Sequence, residues 1–338
     1  MNLMSSKRIL VTGAAGFIGS NLCDYLLAEG YEVIGFDNLS TGNLNNLKVA
    51  KENKNFKFYL GDICAAKALE IIDVELSAIV HLAALADIVP SIKQPEAYFQ
   101  ANVVGTFNIA NYARAMNVPK ILYAASSSCY GIPKEYPTSE SAEIDPRYPY
   151  ALTKRLGEEI LLHWGKVYGI KVKSLRLFNV YGPRSRTSGN YGAVFGVFLA
   201  QKLAEEPFTV VGDGNQTRDF TFVSDVARAF HLVLERESNS DIYNVGSGKK
   251  VSINRLVELL GGKVEYIPKR PGEPDCTQSN SSRIESDFGW NPQVSIEEGV
   301  GIMLSLIGEW QNAPLWNSST IAAATEDWFK YLGKDVEI

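Results

Sequence analysis

Residues 8–37 read RILVTGAAGFIGSNLCDYLLAEGYEVIGFD, and the order of events in this stretch decides the fold. An apolar run, Arg8–Thr12, reads as a strand; three glycines, Gly13, Gly16 and Gly19, follow at three-residue steps. Phe17–Glu29 then reads as a helix, and a second apolar run, Glu32–Asp37, ends on a carboxylate. Glycine permits a tight turn and close approach to the backbone, and the helix it opens offers N–H groups to an anion. The spacing is GxxGxxG, so the GxGxxG dinucleotide fingerprint is met only approximately. Asp37 adds to it, because a carboxylate there binds a ribose 2′-hydroxyl and repels a 2′-phosphate, while its neighbour Asn38 brings no cation. NAD is therefore expected in preference to NADP.

Moving outward, Phe56–Leu60, Ala78–Leu82 and Ile121–Ala125 continue the series of strands, and helices are expected over Glu96–Met116 and Tyr150–Tyr168. Runs that are apolar throughout, not alternating, imply a parallel sheet covered on both faces. Repeated strand–helix units give a doubly wound α/β fold of Rossmann type with a smaller α+β substrate-binding lobe. The division expected is a dinucleotide-binding domain over 1–178, a substrate lobe over 179–219 and 247–308, and a helical tail over 309–338. Phe220–Val226 and Ile242–Val245 are expected to return to the main sheet, which would interleave the lobes. The tail carries Trp310, Trp316, Trp328 and Phe329; its role is not readable from the sequence.

Composition excludes several classes. The 338 residues are 46% apolar and 21% charged, with 33 basic and 38 acidic side chains giving a net charge of −5. There is no basic tract for nucleic acid or a membrane surface. Four cysteines without a CxxC pair and three scattered histidines (His81, His163, His231) argue against a disulfide framework or a metal site. No apolar run approaches the ~18 residues of a membrane span. The start, MNLMSSKRILVTG, lacks a signal-peptide core. A reduced, cytoplasmic, soluble protein is expected.

Tyr150 and Lys154, in PYALTK, stand one helical turn apart and so share a face. A free phenol titrates near about 10; an ammonium and a positively charged nicotinamide would both favour its phenolate, making a base that works near neutrality. Alone, YxxxK describes many solvated helices. The serine run Ser126, Ser127 and Ser128, placed where a parallel strand ends, adds to it, because that carboxyl edge is where open α/β sheets bind ligands.

GxxGxxG, Asp37, HLAALADIVPS, NVVGT, SSSCYG, PYALTK and RLFNVYGPR together resemble the extended short-chain dehydrogenase/reductase family, in its nucleotide-sugar epimerase and dehydratase group. The resemblance covers about residues 7 to 300 and implies a tightly held NAD and a nucleoside-diphosphate sugar, with UDP favoured, in the cleft. On the cofactor side it points to Gly13, Ala15, Gly16, Phe17, Ile18, Gly19, Asp37 and Asn38. It adds Asp62 and Ile63 near the adenine, where a plain turn aspartate is an equal reading of Asp62. Leu82, Ala83 and Ala84 fall at the strand edge, Asn102 on a helix facing the cofactor, and Tyr150, Lys154 and Phe178 around the nicotinamide. Ser126, Tyr150 and Lys154 match the catalytic set. Ser127 and Ser128 match sugar contacts, Asn179 a diphosphate contact, Arg218 and Arg270 diphosphate clamps, Glu273 a ribose ligand, and Thr277 the wall of the C2 pocket. No metal is implied.

The 4,6-dehydratases of this group carry Asp–Glu directly after the catalytic hydroxyl, whereas this chain carries Ser127–Ser128. That points to 4-epimerisation, by transient oxidation at C4, rotation of the sugar and reduction from the other face. Thr277 is small, and in this group a small residue there admits N-acetyl groups; both plain and N-acetylated UDP-hexoses are expected. A dehydratase, a UDP-glucuronate epimerase or decarboxylase, and a catalytically silent NAD-binding sensor stay open as alternatives. The resemblance also implies a homodimer through the helices Glu96–Met116 and Tyr150–Tyr168, where Leu156, Ile160 and Trp164 recur at four-residue steps as an apolar face requires.

Overall fold

The computed structural model describes residues 7–185 and 192–333. Six strands, β1 (Arg8–Thr12), β2 (Glu32–Asp37), β3 (Phe56–Leu60), β4 (Ala78–His81), β5 (Lys120–Ser126) and β6 (Lys171–Leu177), join the strand Ile242–Val245 in one sheet. Its order is Ile242–Val245, β6, β5, β4, β1, β2, β3, and every pairing is parallel. The doubly wound α/β expectation holds. Burial explains the uninterrupted apolar runs: all seven residues of β5 are buried, whereas β3, at the edge, is only half covered. Chain order reverses between β1 and β4, and the crevice above their carboxyl ends is where such a sheet takes a ligand.

Two apolar layers cover the sheet. One sets α1 (Phe17–Ala28) and the helix Val223–Glu235 against one face, through Leu22, Leu26, Val226 and Phe230. The other sets the helices Gly105–Ala115 and Pro149–Tyr168 against the opposite face, through Ile109, Ala113 and Leu161. A separate core gathers Phe195, Phe198, Phe208, Leu256, Met303, Trp310, Ile321 and Trp328, so the helix Ser318–Leu332 is packed into the second half of the molecule.

Three expectations are corrected. The helix over Glu96–Met116 is interrupted: Pro95–Phe99 and Gly105–Ala115 flank a π-helical turn at Gln100–Val104, the turn that carries Asn102. Phe220–Val226 does not enter the main sheet. The edge beside β6 is taken by Ile242–Val245, so Phe220–Phe222 pairs with Asn179–Tyr181 in a two-stranded parallel sheet and a helix begins at Val223. Ile284, Phe288 and Trp290, expected in the smaller lobe, instead pack into the core under the main sheet, where the Trp290 Nε1–H donates to the Asp225 carbonyl at 2.9 Å.

Candidate active site

A cavity of about 670 Å³ runs over the carboxyl edge of the sheet and on between the two cores. At one end lies the glycine turn. Gly13 has φ +71°, and a Cβ there would sit 2.7 Å from the Ala83 nitrogen; at Gly19 it would sit 2.0 Å from the Gly13 carbonyl oxygen. Both obstacles are backbone, so neither can step aside. Gly16 is the N-cap of α1, which has no side-chain cap and no acid in its first turn. An uncapped helix start facing a cavity is suited to a pyrophosphate.

Asp37 is buried at the end of β2, its Oδ2 accepting from the Ala15 N–H at 3.0 Å and its Oδ1 from the Leu39 N–H at 2.7 Å. Burial pushes its pKa up from the usual carboxylate value, and the two backbone donors pull against that. Each oxygen keeps a second lone pair for a ribose hydroxyl. Asn38 donates to Asp62 Oδ2 at 3.1 Å, while the Cys64 N–H donates to Asp62 Oδ1 at 2.8 Å. Burial alone would raise the Asp62 pKa; these donors leave it lowered. The glycine cradle, the uncapped helix and the held carboxylate together fit NAD.

Of the cofactor, catalytic and substrate residues expected from the sequence, all but two line this cavity. Ala15 is fully buried and its N–H is already taken by Asp37. Asn102, expected to face the cofactor, is buried behind the wall: its Oδ1 accepts from the Leu85 N–H at 2.8 Å, and its Nδ2 donates to the Leu85 carbonyl and to Thr153 Oγ1, both at 3.0 Å. Its amide is fully used in fixing the loop after β4, so Asn102 shapes the cavity without touching what fills it. Beside it, His81 is buried between Thr12 Oγ1 at 2.7 Å and Thr106 Oγ1 at 3.0 Å. Burial, with Lys154 adding to it, pushes the His81 pKa down to about 3, so this ring is a neutral brace.

At the sheet edge, Ser126 ends β5 and donates its hydroxyl hydrogen to Ser128 Oγ at 2.9 Å. Tyr150 opens the helix that Pro149 begins at Pro's favoured first position. In the bare pocket Lys154 is not what sets the Tyr150 phenol. Burial dominates and raises the Tyr150 pKa, Asp87 and Cys129 add to the rise, and the group that lowers it is the Ser126 hydroxyl. Lys154 Nζ lies over the Tyr123 ring, 4.2 Å from its centroid, and burial pushes its own pKa down to about 7 against the pull of Glu158. Helical spacing put both groups on one face without fixing where the long lysine would rest.

The far end is built from short strands and loops distant in sequence. Arg218 Nη2 donates to Glu273 Oε1 at 2.7 Å, and Arg270 Nη1 lies 3.6 Å from Glu273 Oε2, so both expected clamps are paired to the expected ribose ligand. Thr277 Oγ1 donates to Asn179 Oδ1 and accepts from the Asp219 N–H, both at 3.0 Å. The sequence reading missed Asp87, Tyr148, Trp316 and Trp328, which also line the cavity. Tyr148 lies parallel to Tyr150 with ring centroids 6.5 Å apart, and Trp328 is 6.1 Å from Tyr148. The tryptophans of the tail were a signal, but nothing local told which cavity they would meet. Among the described residues no group of His, Cys, Asp or Glu is placed to hold a metal, and no helix is long and apolar enough to cross a membrane.

The family described as NAD-dependent epimerase/dehydratase matches residues 9–246. A UDP-glucose 4-epimerase of Mycolicibacterium smegmatis is 37% identical over 301 residues, spanning 87% of this chain and 96% of the relative. A UDP-N-acetylglucosamine 4-epimerase of Methanobrevibacter ruminantium, solved with UDP-N-acetylmuramic acid, superposes with a TM-score of 0.83 at 32% identity, over 90% of this chain and 100% of its own. A UDP-glucuronic acid 4-epimerase of Bacillus cereus, solved with UDP-glucuronic acid and NAD, gives 0.82 at 31%, over 89% and 99%.

Proposed function

The chain belongs to the NAD-dependent epimerase/dehydratase family, and from that premise we propose that it inverts C4 of a UDP-hexose, taking UDP-N-acetylglucosamine and UDP-N-acetylgalactosamine, UDP-glucose and UDP-galactose, or both pairs. The observation that carries this is Ser127–Ser128 on the wall of the cavity that Ser126, Tyr150 and Lys154 share. Loss of water needs an acid and a base beside C5 and C6, and two hydroxyls supply neither.

In this reading Gly13, Gly16 and the start of α1 receive the pyrophosphate of NAD, and Asp37 its adenosine ribose. NAD bound there would supply a reversible acceptor for the C4 hydride. Tyr150 takes the proton of the C4 hydroxyl, directly or through Ser126, and gives it back to the inverted oxygen. In the bare pocket burial keeps the phenol protonated, so the charge that favours phenolate has to arrive with the cofactor and with a protonated Lys154. Arg218, Arg270 and Asn179 grip the diphosphate. Arginine suits this because its planar fork offers paired donors. Those two guanidiniums are held ready on Glu273, which is then left to a ribose hydroxyl. Small hydroxyls around the hexose leave the 4-keto sugar free to turn about its diphosphate bonds.

Purified protein offered UDP-, dTDP- and GDP-sugars, with C4 followed by NMR and product mass recorded, tests the reading. Inversion at unchanged mass is expected for UDP-hexoses. Loss of water or carbon dioxide would replace it with the dehydratase or decarboxylase reading, and turnover of UDP-glucuronate alone would move the substrate to the uronate. Tyr150→Phe should lower turnover by about a thousandfold with folding and NAD content unchanged; normal turnover would remove Tyr150 from the mechanism.

A homodimer is proposed on separate grounds. Phe99, Phe107 and Leu152 are exposed, and Leu156, Ile160 and Trp164 stay partly uncovered, along the helices that flank one sheet face. Exposed apolar patches of this kind mark association. Sedimentation should give twice the chain mass, and Leu152→Asp should shift it to one.

A further inference from the structure

The helix Ser318–Leu332 is a wall of the substrate half of the cavity. Its start is fixed by a capping box, in which Asn317 Oδ1 accepts from the Thr320 N–H at 2.9 Å and Thr320 Oγ1 accepts from the Asn317 N–H at 2.9 Å. Just before it, the Trp316 carbonyl accepts from Gln201 at 2.7 Å, and Gln201 is itself buried and bonded to Thr209. The helix lies against Ile88–Lys93, whose Ile88 and Val89 face the cavity.

Near its other end Trp328 is 3% exposed and touches the site in three directions. Its Nε1–H donates to the Pro271 carbonyl at 2.7 Å, which fixes the turn between Arg270 and Glu273. The Arg270 guanidinium lies over its ring at 5.7 Å, within the range at which an aromatic face attracts a cation. Its ring meets Tyr148, which lies parallel to Tyr150. One indole therefore contacts the turn and guanidinium of a proposed diphosphate clamp and, through one ring, the reacting end.

Resting on the reading of this cavity as a nucleotide-sugar site, we propose that Trp328 is a positioning residue: it holds Arg270, and the Arg270–Glu273 turn, in the geometry that receives the diphosphate. An arginine gripping phosphate surrenders its rotamer freedom; stacked on an indole it has surrendered part of that freedom before the ligand arrives. The effect falls on binding of the nucleotide, and the chemical step, set by Tyr150, stays as it was.

The test uses the full NAD-loaded chain and UDP itself as the probe, by calorimetric titration, with steady-state turnover of whichever UDP-hexose the panel identifies. Trp328→Leu should weaken UDP and raise KM by about tenfold, with kcat within about twofold and NAD content unchanged. Trp328→Phe, which keeps an aromatic face and loses the bond to Pro271, should recover the part of that loss owed to the ring. Unchanged UDP affinity in Trp328→Leu, or a fall confined to kcat, would overturn the proposal. If Trp328→Leu does not fold, hydrogen exchange of the unaltered protein decides: UDP should slow exchange of the amides around Trp328, and unaltered exchange overturns the proposal. Failure of the unaltered protein to bind UDP would instead sink the nucleotide-sugar reading, and the proposal with it.

Discussion

The two halves of the cavity are built in different materials. The half at the glycine turn is backbone: Gly13 against Ala83, Gly19 against the Gly13 carbonyl, and Asp37 held by two N–H groups. The half beyond Tyr150 is side chains brought from Asn179, Arg218, Arg270, Glu273, Thr277 and Trp328, paired with one another, all but Arg270 with Glu273 across long stretches of sequence. A backbone site cannot change without disturbing the sheet that makes it. A side-chain site can be rewritten one residue at a time on the same scaffold, which is how one fold serves several sugars.

The largest effect expected from that contrast is at Gly19. A Cβ 2.0 Å from a carbonyl oxygen requires the turn and α1 to separate. Gly19→Ala should therefore empty the protein of NAD and lower its stability by about 3 kcal/mol or more, read as bound nucleotide after purification and as the midpoint of thermal unfolding. A variant that keeps both would show the turn to be pliant and the contrast between the halves to be false.

Legibility in the sequence divided along the same line. The strand runs, the glycine spacing and Asp37 are local patterns, and local patterns report backbone, so the sheet and its crevice could be read early. Where long-range packing decides, reading failed. Nothing near Phe220 shows that Ile242–Val245 has already taken the edge of β6. Asn102 lies on the helix facing the crevice, yet its amide is spent on Leu85 and Thr153. The four-residue step from Tyr150 to Lys154 fixes a shared face, but so long a side chain can rest its end on Tyr123, as it does here. Trp328 reaches the site only because a second core folds its helix back.

A smaller effect tests whether the side-chain half sets the choice of sugar. Thr277 lines the cavity, and its hydroxyl ties Asn179 to the backbone at Asp219. In Thr277→Tyr both the hydroxyl bridge and the space are lost. Turnover of N-acetylated UDP-hexoses should fall about a hundredfold more than that of plain ones, compared as kcat/KM on one preparation. Thr277→Val, of similar volume, loses the bridge alone and should slow both sugars equally. Equal losses in Thr277→Tyr would show that this residue acts only through Asn179 and walls no acetyl pocket.

The smallest effect expected on stability concerns Lys154, which stands where the halves meet. Its pKa of about 7 in the folded chain lies below the value of about 10.4 for a free lysine. Between those values the unfolded chain binds the extra proton, so this residue makes stability rise with pH across that window. Below pH 7 it is charged in both states and the full cost of burying an ammonium is present. Lys154→Met should abolish turnover and yet raise the unfolding midpoint by a few degrees at about pH 6, with the gain shrinking toward pH 10. The substitution also removes the lesser of the two causes that push the His81 pKa down, while burial, the larger, stays. The comparison needs protein stripped of nucleotide, because a ligand that binds only the folded form adds its own stabilisation. A variant less stable than the parent at pH 6 would mean that Glu158 and the face of Tyr123 more than repay the burial. The ammonium would then be a structural tie shared by both halves, and its charge would be fixed before any cofactor arrived.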